Sequence, residues 1–399
     1  MATANYKKKL THNDYTVGLI YVKPLEMDAI LTMLDEEHES LRLNEDDDNE
    51  YTLGRIGPHN VLVVGPPRGE EGKVAVSTVV NQVRLSFKNI KMGLLVGIGD
   101  GVPRNGHDVR LGDVVVSAPE YGPAVVQYDL GRLNTDGVIE VIGTLGKPPR
   151  QLLNVANIVR SQYLRLMEGE ESFFHQHLKR FEHFPRLKCT YSHPEIPDIL
   201  FPPSYFHEDS TDCESHHGHL QVSREERSQD IEIHYSTILS GDSTMSCGMR
   251  RDKLSAQHHN ALCFETAAAG LMDNFPCLVI RGISSYADSH KNEAWEGYAA
   301  ATAAAYAREI LCTMAERVAV ELKPSTAEMT IGQNSVEERL KEAEERIEFL
   351  RMLSLPGGNN QRISIESAYA NTYEWIEDWK SSDGRKLLIV GKAGSESQH

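Results

Sequence analysis

Residues 277–292, CLVIRGISSYADSHKN, join a buried-strand pattern to a dense polar segment. Four apolar residues precede Arg-Gly, and small hydroxyl residues, a tyrosine and Asp288 follow. An alanine-rich helix pattern begins directly afterwards, over residues 292–318. A short apolar run is typical of a strand buried on both faces, and ligands of α/β sheets gather outside the carboxyl ends of strands. The stretch therefore predicts an α/β fold whose sheet delivers polar side chains into a cleft.

The same alternation of strand and helix signals extends along most of the chain. It predicts a central mixed sheet flanked by helices, because strand signals alternate with segments that have helical spacing of apolar residues. Strands of that sheet are predicted at 16–22, 92–98, 112–117, 236–240, 261–265 and 277–283, a hairpin at 52–65, and helices at 25–38, 74–88, 265–272 and 292–318.

The pattern also predicts where the chain divides. Residues 1–322 are expected to form one domain with an insertion at about 160–230, read as a helix and a long loop. Residues 323–399 are expected to be a helical linker and the truncated or degenerate start of a P-loop domain. The final GKAGSESQ begins like a phosphate-binding loop, but Glu396, Ser397 and Gln398 stand where that motif has glycine, lysine and a hydroxyl residue.

Composition narrows the classes of function. The chain has 41 Lys plus Arg and 58 Asp plus Glu, a net charge of −17, so nucleic acid is not an expected partner. We expect no membrane association, because no long uncharged apolar run is present. The six cysteines show no paired spacing, and the N-terminus has no apolar signal core, so we expect a cytoplasmic protein. Cys213, with three histidines close behind it, is interpreted as part of a solvated loop, so no metal or cofactor is predicted.

Polar residues fall at the predicted strand ends, and each has two interpretations. Glu26 follows the first strand and is either a catalytic carboxylate or a first-turn helix residue. Asp288 is either a cleft residue or a helix N-cap, although Asn292 is better placed for the N-cap. The glycines of 97–101 either admit a ligand or form an ordinary turn. Spacing alone leaves these alternatives open.

Five segments carry a resemblance to a known family: DYTVGLIYVKPLEMDAILTMLDEEH, YTLGRIGPHNVLVV, LLVGIGDGVPRNGHDVRLGDVVVS, LCFETAAAGLMDNFPCLVIRG and SYADSHKNEAWEGYAAATAAAYAREIL. Across roughly residues 14–320 the chain resembles the nucleoside phosphorylase and nucleosidase superfamily (PNP/UDP phosphorylase-like). It more closely resembles the N-terminal domains of fungal NLR-like STAND proteins, in which a NACHT- or NB-ARC-type nucleotide-binding region follows.

The resemblance implies a role for particular residues. Glu26 falls where nucleosidases keep the glutamate that activates water, and Ser285 where they keep the aspartate that protonates the purine. Further contacts to the substrate are implied for Gly99, Asp100 and Gly101, in the loop that approaches ribose and base, and for Phe264, Glu265 and Thr266, in the segment beneath the ribose.

Three positions depart from the family pattern. Ala267 replaces the glutamate that holds the ribose hydroxyls, Ser285 replaces the acid, and Asp100 replaces a glycine. Asp288 is expected to supply the proton instead, directly or through Ser285 or water, and Glu265 to cover the ribose. Substituting aspartate for Ser285 is expected to raise activity.

The function implied by this resemblance is purine nucleosidase activity in an immune or incompatibility-type protein. Hydrolysis would release adenine from a nucleoside or nucleotide, including ATP, with Lys23, Arg68 and Arg104 as phosphate contacts or merely as surface residues. A weakly catalytic nucleoside sensor and a purine nucleoside phosphorylase are the alternatives. The resemblance also implies a homo-oligomer, with the small apolar residues of ETAAAGLM (265–272) in its interface.

Overall fold

The computed structural model describes residues 7–134, 139–141, 145–167, 169–206, 221–227 and 229–315. Three of the sequence predictions therefore lie outside the described residues. They are the linker and P-loop-like tail at 323–399, the segment around Cys213 with its histidines, and residues 207–220 of the predicted irregular loop.

The described strands, in chain order, are β1 Val17–Ile20, β2 Glu36–Glu37, β3 Thr52–Ile56, β4 His59–Val64, β5 Met92–Gly101, β6 Val114–Val116, β7 Val125–Gln127, β8 Gly131–Leu133, β9 Ile139–Val141, β10 Ile233–Tyr235, β11 Ile238–Ser240, β12 Cys263–Glu265 and β13 Cys277–Ser285. Strands β8 and β9 pair only with each other within the described chain.

The remaining described strands build one mixed sheet in the order β10-β6-β13-β5-β1-β4-β3-β2. The centre is parallel, since β1 runs alongside β4 and β5, and β5 runs alongside β13. Strand β12 crosses the carboxyl end of β5 in the antiparallel direction, and β11 lies between β12 and β7. The ends of β5, β12 and β13 therefore meet at one edge.

The described α-helices are α1 Pro24–Thr32, α2 Gly72–Ser86, α3 Arg150–Leu164, α4 Phe173–Leu178, α5 Pro185–Tyr191, α6 Gly248–Gln257 and α7 Glu296–Thr313. Helices α1, α3 and α7 cover one face of the sheet and α2 covers the other. None of the helices described combines the length and the apolar character needed to cross a bilayer.

The alanine-rich helix α7 lies unusually close to the sheet. Its alanines are almost completely buried, and its backbone approaches Gly282 of β13 so nearly that a Cβ there would come within 1.8 Å of the Ala299 carbonyl oxygen. Small side chains on both elements make this contact possible.

The predicted fold class is confirmed, and all six predicted strands belong to the one sheet. The hairpin at 52–65 is confirmed as β3 and β4. The strand predicted at 92–98 is longer than expected, and the glycines of 97–101 do not form a turn. Strand β5 continues to Gly101, because β13 and β12 pair with it there on opposite sides.

Three predictions of helices need correction. The first helix ends at Thr32 rather than near residue 38, because β2 pairs with β3 immediately afterwards. Residues 265–272 hold only the 3-10 turn Ala268–Gly270. Instead of one helix and a long loop, the insertion contains α4, the 3-10 turn Lys179–His183 and α5, and the aromatic residues Phe174, Phe181 and Tyr191 of these three elements are buried in the main core.

Candidate active site

The carboxylate of Glu26 is anchored by three backbone N–H groups from two elements. One oxygen, Oε2, accepts hydrogen bonds from Val22 at 2.7 Å and Lys23 at 2.9 Å. The other, Oε1, accepts one from Ile98 of β5 at 2.8 Å. The bond to Lys23 caps helix α1, so Glu26 does act as a first-turn helix residue. The bond to Ile98 has no capping role, and it fixes the carboxylate at the carboxyl end of β5.

Gly97 explains how Glu26 reaches the strand. A Cβ on this residue would lie 2.1 Å from Oε1 of Glu26 and 2.5 Å from Nη1 of Arg281. Any larger residue would displace both groups, so glycine is required here for close approach rather than for a turn. The absence of a side chain at Gly97 therefore allows Glu26 and Arg281 to approach β5 closely.

A buried ion pair lies beside Glu26. Arg281 of β13 donates through Nη2 to Oε2 of Glu265 at 2.6 Å, and its Nη1 lies 3.9 Å from Oε1 of Glu26. The side chains of all three residues are at most 3% exposed. Burial alone would lower the pKa of the Arg281 guanidinium, but Glu265 and Glu26 outweigh it and raise the pKa. The cation is therefore held charged between two carboxylates.

Sequence reasoning missed Arg281, although the signal was present. An arginine inside an apolar strand must be paired, because an isolated buried charge is very costly. The structure supplies the partners from β12 and α1, elements far away in sequence.

Glu265 has no freedom to contact a ribose. Its Oε2 accepts from Arg281 and from the backbone N–H of Ala267 at 2.9 Å, and both of its oxygens accept from Ala268. The side chain is only 1% exposed. The expectation that Glu265 covers the ribose in place of residue 267 is therefore not supported by this arrangement, which makes Glu265 a support for Arg281.

A second polar cluster lies at the same edge of the sheet. The hydroxyl of Ser285 donates a hydrogen bond to Oδ1 of Asp100, and Nζ of Lys291 lies 3.1 Å from Oδ2 of Asp100. Ser285 and Asp100 are register partners, with an irregularity in β13 between Ile283 and Ser285. The carboxylate that contacts Ser285 directly is therefore Asp100.

Asp288 lies in a more enclosed setting. Its Oδ1 accepts from the backbone N–H of His290 at 2.8 Å, and its Oδ2 is 3.8 Å from Nη1 of Arg251. Its side chain is 6% exposed, against 16% for Asp100. The predicted N-cap role is taken by Asn292, which caps the turn before α7.

The remaining predicted contacts are spread around this edge. Phe264 is buried, pairs with Asp100 across β12 and β5, and packs edge-on against the Tyr128 ring at a centroid distance of 5.3 Å. Thr266 is half-buried beyond the end of β12. Gly99 and Gly101 lie within β5, which pairs there with β13 and β12. Phe264, Gly99 and Gly101 therefore lie next to Asp100 in the sheet.

The three predicted phosphate contacts differ in their surroundings. Nζ of Lys23 forms an ion pair with Glu296 at 3.0 Å. Burial would lower the pKa of Lys23, but Glu296 and nearby acidic residues raise it. Arg68 is exposed in the loop before α2, while Arg104 is half-buried beyond β5. Lys23 is thus already neutralised by an internal partner.

Arg104 lines a cleft of about 520 Å³. Two further arginines, Arg224 and Arg251, line it, but both are paired internally, with Asp198 and Asp252. Among the residues that the structure describes, no group of three His, Cys, Asp or Glu side chains is arranged to hold a metal ion.

The chain is similar to two groups of known proteins. No family model matches it. It is 34% identical over 388 residues to a nucleotide-binding leucine-rich repeat (NLR)-like protein of Hyaloscypha variabilis, an alignment that covers 91% of this chain and 37% of that protein. The chain thus spans little more than a third of the length of this relative.

The second group consists of solved nucleosidase structures. The futalosine hydrolase of Helicobacter pylori matches 75% of this chain and 98% of its own, with a TM-score of 0.48 and 16% identity. The 5'-methylthioadenosine/S-adenosylhomocysteine nucleosidase of Neisseria meningitidis, in complex with methylthio-immucillin-A, matches 74% and 98%, with a TM-score of 0.46 and 14% identity. At this level of similarity neither match assigns an activity to the chain.

Proposed function

We propose that residues 1–322 form an N-glycosidase that hydrolyses the bond between adenine and the sugar of a nucleoside or nucleotide. The observation that carries the proposal is the anchoring of Glu26 on Ile98 at the carboxyl end of β5, with the Arg281–Glu265 ion pair behind it. The family resemblance of the sequence supports the same reaction. The similarity to an NLR-like protein supports a role within such a protein.

The chemistry follows from the charge that the reaction develops. Breaking an N-glycosidic bond leaves positive charge on the sugar and negative charge on the base. Among the residues that the structure describes, Oε1 of Glu26 accepts a hydrogen bond only from the Ile98 N–H. A carboxylate oxygen can accept two, so one acceptor position is left on Oε1. A water molecule bound there would be deprotonated as it attacks the sugar, a contribution of about 10²–10⁴-fold in rate.

We include ATP among the candidate substrates, with ribose 5'-triphosphate as the second product. Arg68 and Arg104 are the basic groups best able to meet phosphates, because Lys23 would have to leave Glu296 first. Adenosine needs no such rearrangement. Comparing the two substrates therefore tests the phosphate contacts separately from the cleavage step.

A binding domain without turnover is the second candidate. It is favoured by one observation: with alanine at 267 and Glu265 enclosed, no carboxylate from this segment reaches a ribose. Calorimetry that detects adenosine binding, together with chromatography that detects no adenine, would support it.

The deciding experiment incubates the protein with ATP, adenosine and 5'-methylthioadenosine, each with and without inorganic phosphate. Adenine formed without phosphate supports hydrolysis, and adenine formed only with phosphate identifies a phosphorylase. No adenine under any condition contradicts the proposal.

A further inference from the structure

Asp100 is the carboxylate in direct contact with Ser285. The two residues are partners across β5 and β13, and the Ser285 hydroxyl donates to Oδ1 of Asp100. The register irregularity after Ile283 brings Ser285 opposite Asp100, because an extra residue in one strand re-aims the side chains beyond it. The carboxylate of Asp100 therefore lies at the end of β13, although β13 itself has a serine at this position.

Asp100 also lies on the strand that anchors Glu26. The Ile98 N–H holds Glu26, and Asp100 is two residues further along β5, about 7 Å at the usual strand rise. Phe264 pairs with Asp100 from β12, so an aromatic residue flanks it on the other side. Two carboxylates therefore lie near the carboxyl end of β5. That of Glu26 is deeply buried, and that of Asp100 is partly exposed.

The two acidic groups differ in what binds them. Glu26 is fixed by backbone N–H groups and has only 3% of its side chain exposed. Asp100 is 16% exposed and is bound by two side chains, Ser285 and Lys291. A hydroxyl and an ammonium group stabilise a carboxylate that has just released a proton, because hydrogen bonds to a charged acceptor are strong.

We infer that Asp100 is the proton donor to the departing base, an inference that rests on the proposed nucleosidase function. Water attacks the anomeric carbon and transfers its proton to Glu26. The C–N bond breaks, its electron pair moves to the purine, and Asp100, which has taken up a proton from solvent on substrate binding, gives that proton to N7. Glu26 then releases its proton to solvent, which returns both groups to their starting states.

Ser285 and Lys291 are positioning residues in this scheme. They hold the Asp100 carboxylate at the strand edge and stabilise the negative charge that proton transfer leaves on it. Asp288 is bound instead to the His290 backbone and lies near Arg251, so it stabilises the segment before α7. This assignment also revises the expectation for Ser285→Asp. An added carboxylate would lie against Asp100, so it would repel Asp100 rather than supply a missing acid.

The test compares two substrates whose leaving groups differ in their need for a proton. Adenosine needs protonation to release adenine, whereas p-nitrophenyl β-D-ribofuranoside releases nitrophenolate without it. We expect Asp100→Asn to lower kcat/KM for adenosine by about 10²-fold or more while changing cleavage of the nitrophenyl riboside by less than about threefold. Asp288→Asn is the matched control and should leave the ratio of the two substrates unchanged.

Two results would overturn the inference while leaving the proposed function intact. One is an equal loss on both substrates in Asp100→Asn, and the other is a selective loss on adenosine in Asp288→Asn. If the parent protein releases adenine from none of ATP, adenosine and 5'-methylthioadenosine, the proposed function fails and the inference falls with it.

An exchange variant keeps the inference testable if Asp100→Asn does not fold. Asp100→Ser combined with Ser285→Asp moves the carboxylate to the neighbouring strand and preserves the hydroxyl contact. We expect the combined variant to recover about tenfold or more of the adenosine activity that Asp100→Ser alone loses. No recovery in a combined variant with the parent's melting temperature would contradict the inference.

Discussion

The backbone N–H of Ile98 donates a hydrogen bond of 2.8 Å to Oε1 of Glu26. This bond joins the first turn of α1 to the carboxyl end of β5, 72 residues later in the chain. It converts a residue that could have been an ordinary helix cap into a group fixed at the edge of the central sheet. The proposed reaction depends on this placement.

Gly97→Ala tests whether close approach at β5 places Glu26. The new Cβ would fall 2.1 Å from Oε1 of Glu26, so the carboxylate must shift and the bond to Ile98 must lengthen. We expect adenine release to fall by about tenfold or more, because a small displacement of a catalytic group is costly.

Gly18→Ala is the matched control for this substitution. Gly18 also lies in a buried parallel strand, but its Cβ would meet no atom closer than 3.5 Å. Equal activity of the two variants, measured on folded protein, would show that the approach at Gly97 does not matter.

Arg281→Met tests the buried ion pair. Removing the cation leaves Glu26 and Glu265 buried beside each other without their shared partner, so we expect a loss of about 3–5 kcal/mol in the free energy of unfolding, measured by urea denaturation. The double variant with Glu265→Gln should lose less than the sum of the two single losses, because the residues act as a unit. A loss below about 1 kcal/mol would contradict the role given to this pair.

Asp35 gives a prediction for acid stability. Burial alone would raise its pKa, but the Gly57 N–H together with Arg308 and Arg180 outweighs burial and holds the pKa below its ordinary value of 3.8. The stabilisation is therefore complete above that value and is lost as the pH falls through the lowered pKa of the folded state. It ties α7 to the β3–β4 turn.

The matched variant is Asp35→Asn. We expect the parent to exceed it in the free energy of unfolding by a constant amount near neutral pH, and this difference to shrink only as the pH falls below 3.8. Denaturation curves at a series of pH values measure it. A difference that instead grows as the pH falls would show that Asp35 does not have a lowered pKa.

The fold could be predicted from the sequence because its central strands are short apolar runs that alternate along the chain with segments of helical spacing. The same patterns also predicted that Glu26 follows the first strand and that the strand from residue 277 ends in a polar segment. The pairing of Arg281 could not be derived, since its partners come from β12 and α1. Nor could the contact between Asp100 and Ser285, because it depends on a one-residue irregularity in β13 that no local pattern records.

The homo-oligomer remains a prediction, but its proposed surface changes. Ala267, Ala268, Leu271 and Met272 from the predicted interface are buried inside the described unit. Exposed apolar side chains lie elsewhere, including Val74 and Leu164. Light scattering over a range of concentrations should report a multiple of the monomer mass, and a constant monomer mass would count against the prediction.

The central claim is that Glu26 activates water for hydrolysis of an adenine N-glycosidic bond. The most direct measurement is the rate of adenine release from adenosine, without phosphate, by the parent, Glu26→Gln and Glu265→Gln proteins. Both variants remove a buried carboxylate beside Arg281, so comparing them separates catalysis from structural support. We predict adenine release by the parent, a fall of about 10²-fold or more for Glu26→Gln, and a much smaller fall for Glu265→Gln at temperatures where it stays folded. A Glu26→Gln protein that releases adenine as fast as the parent would contradict the account.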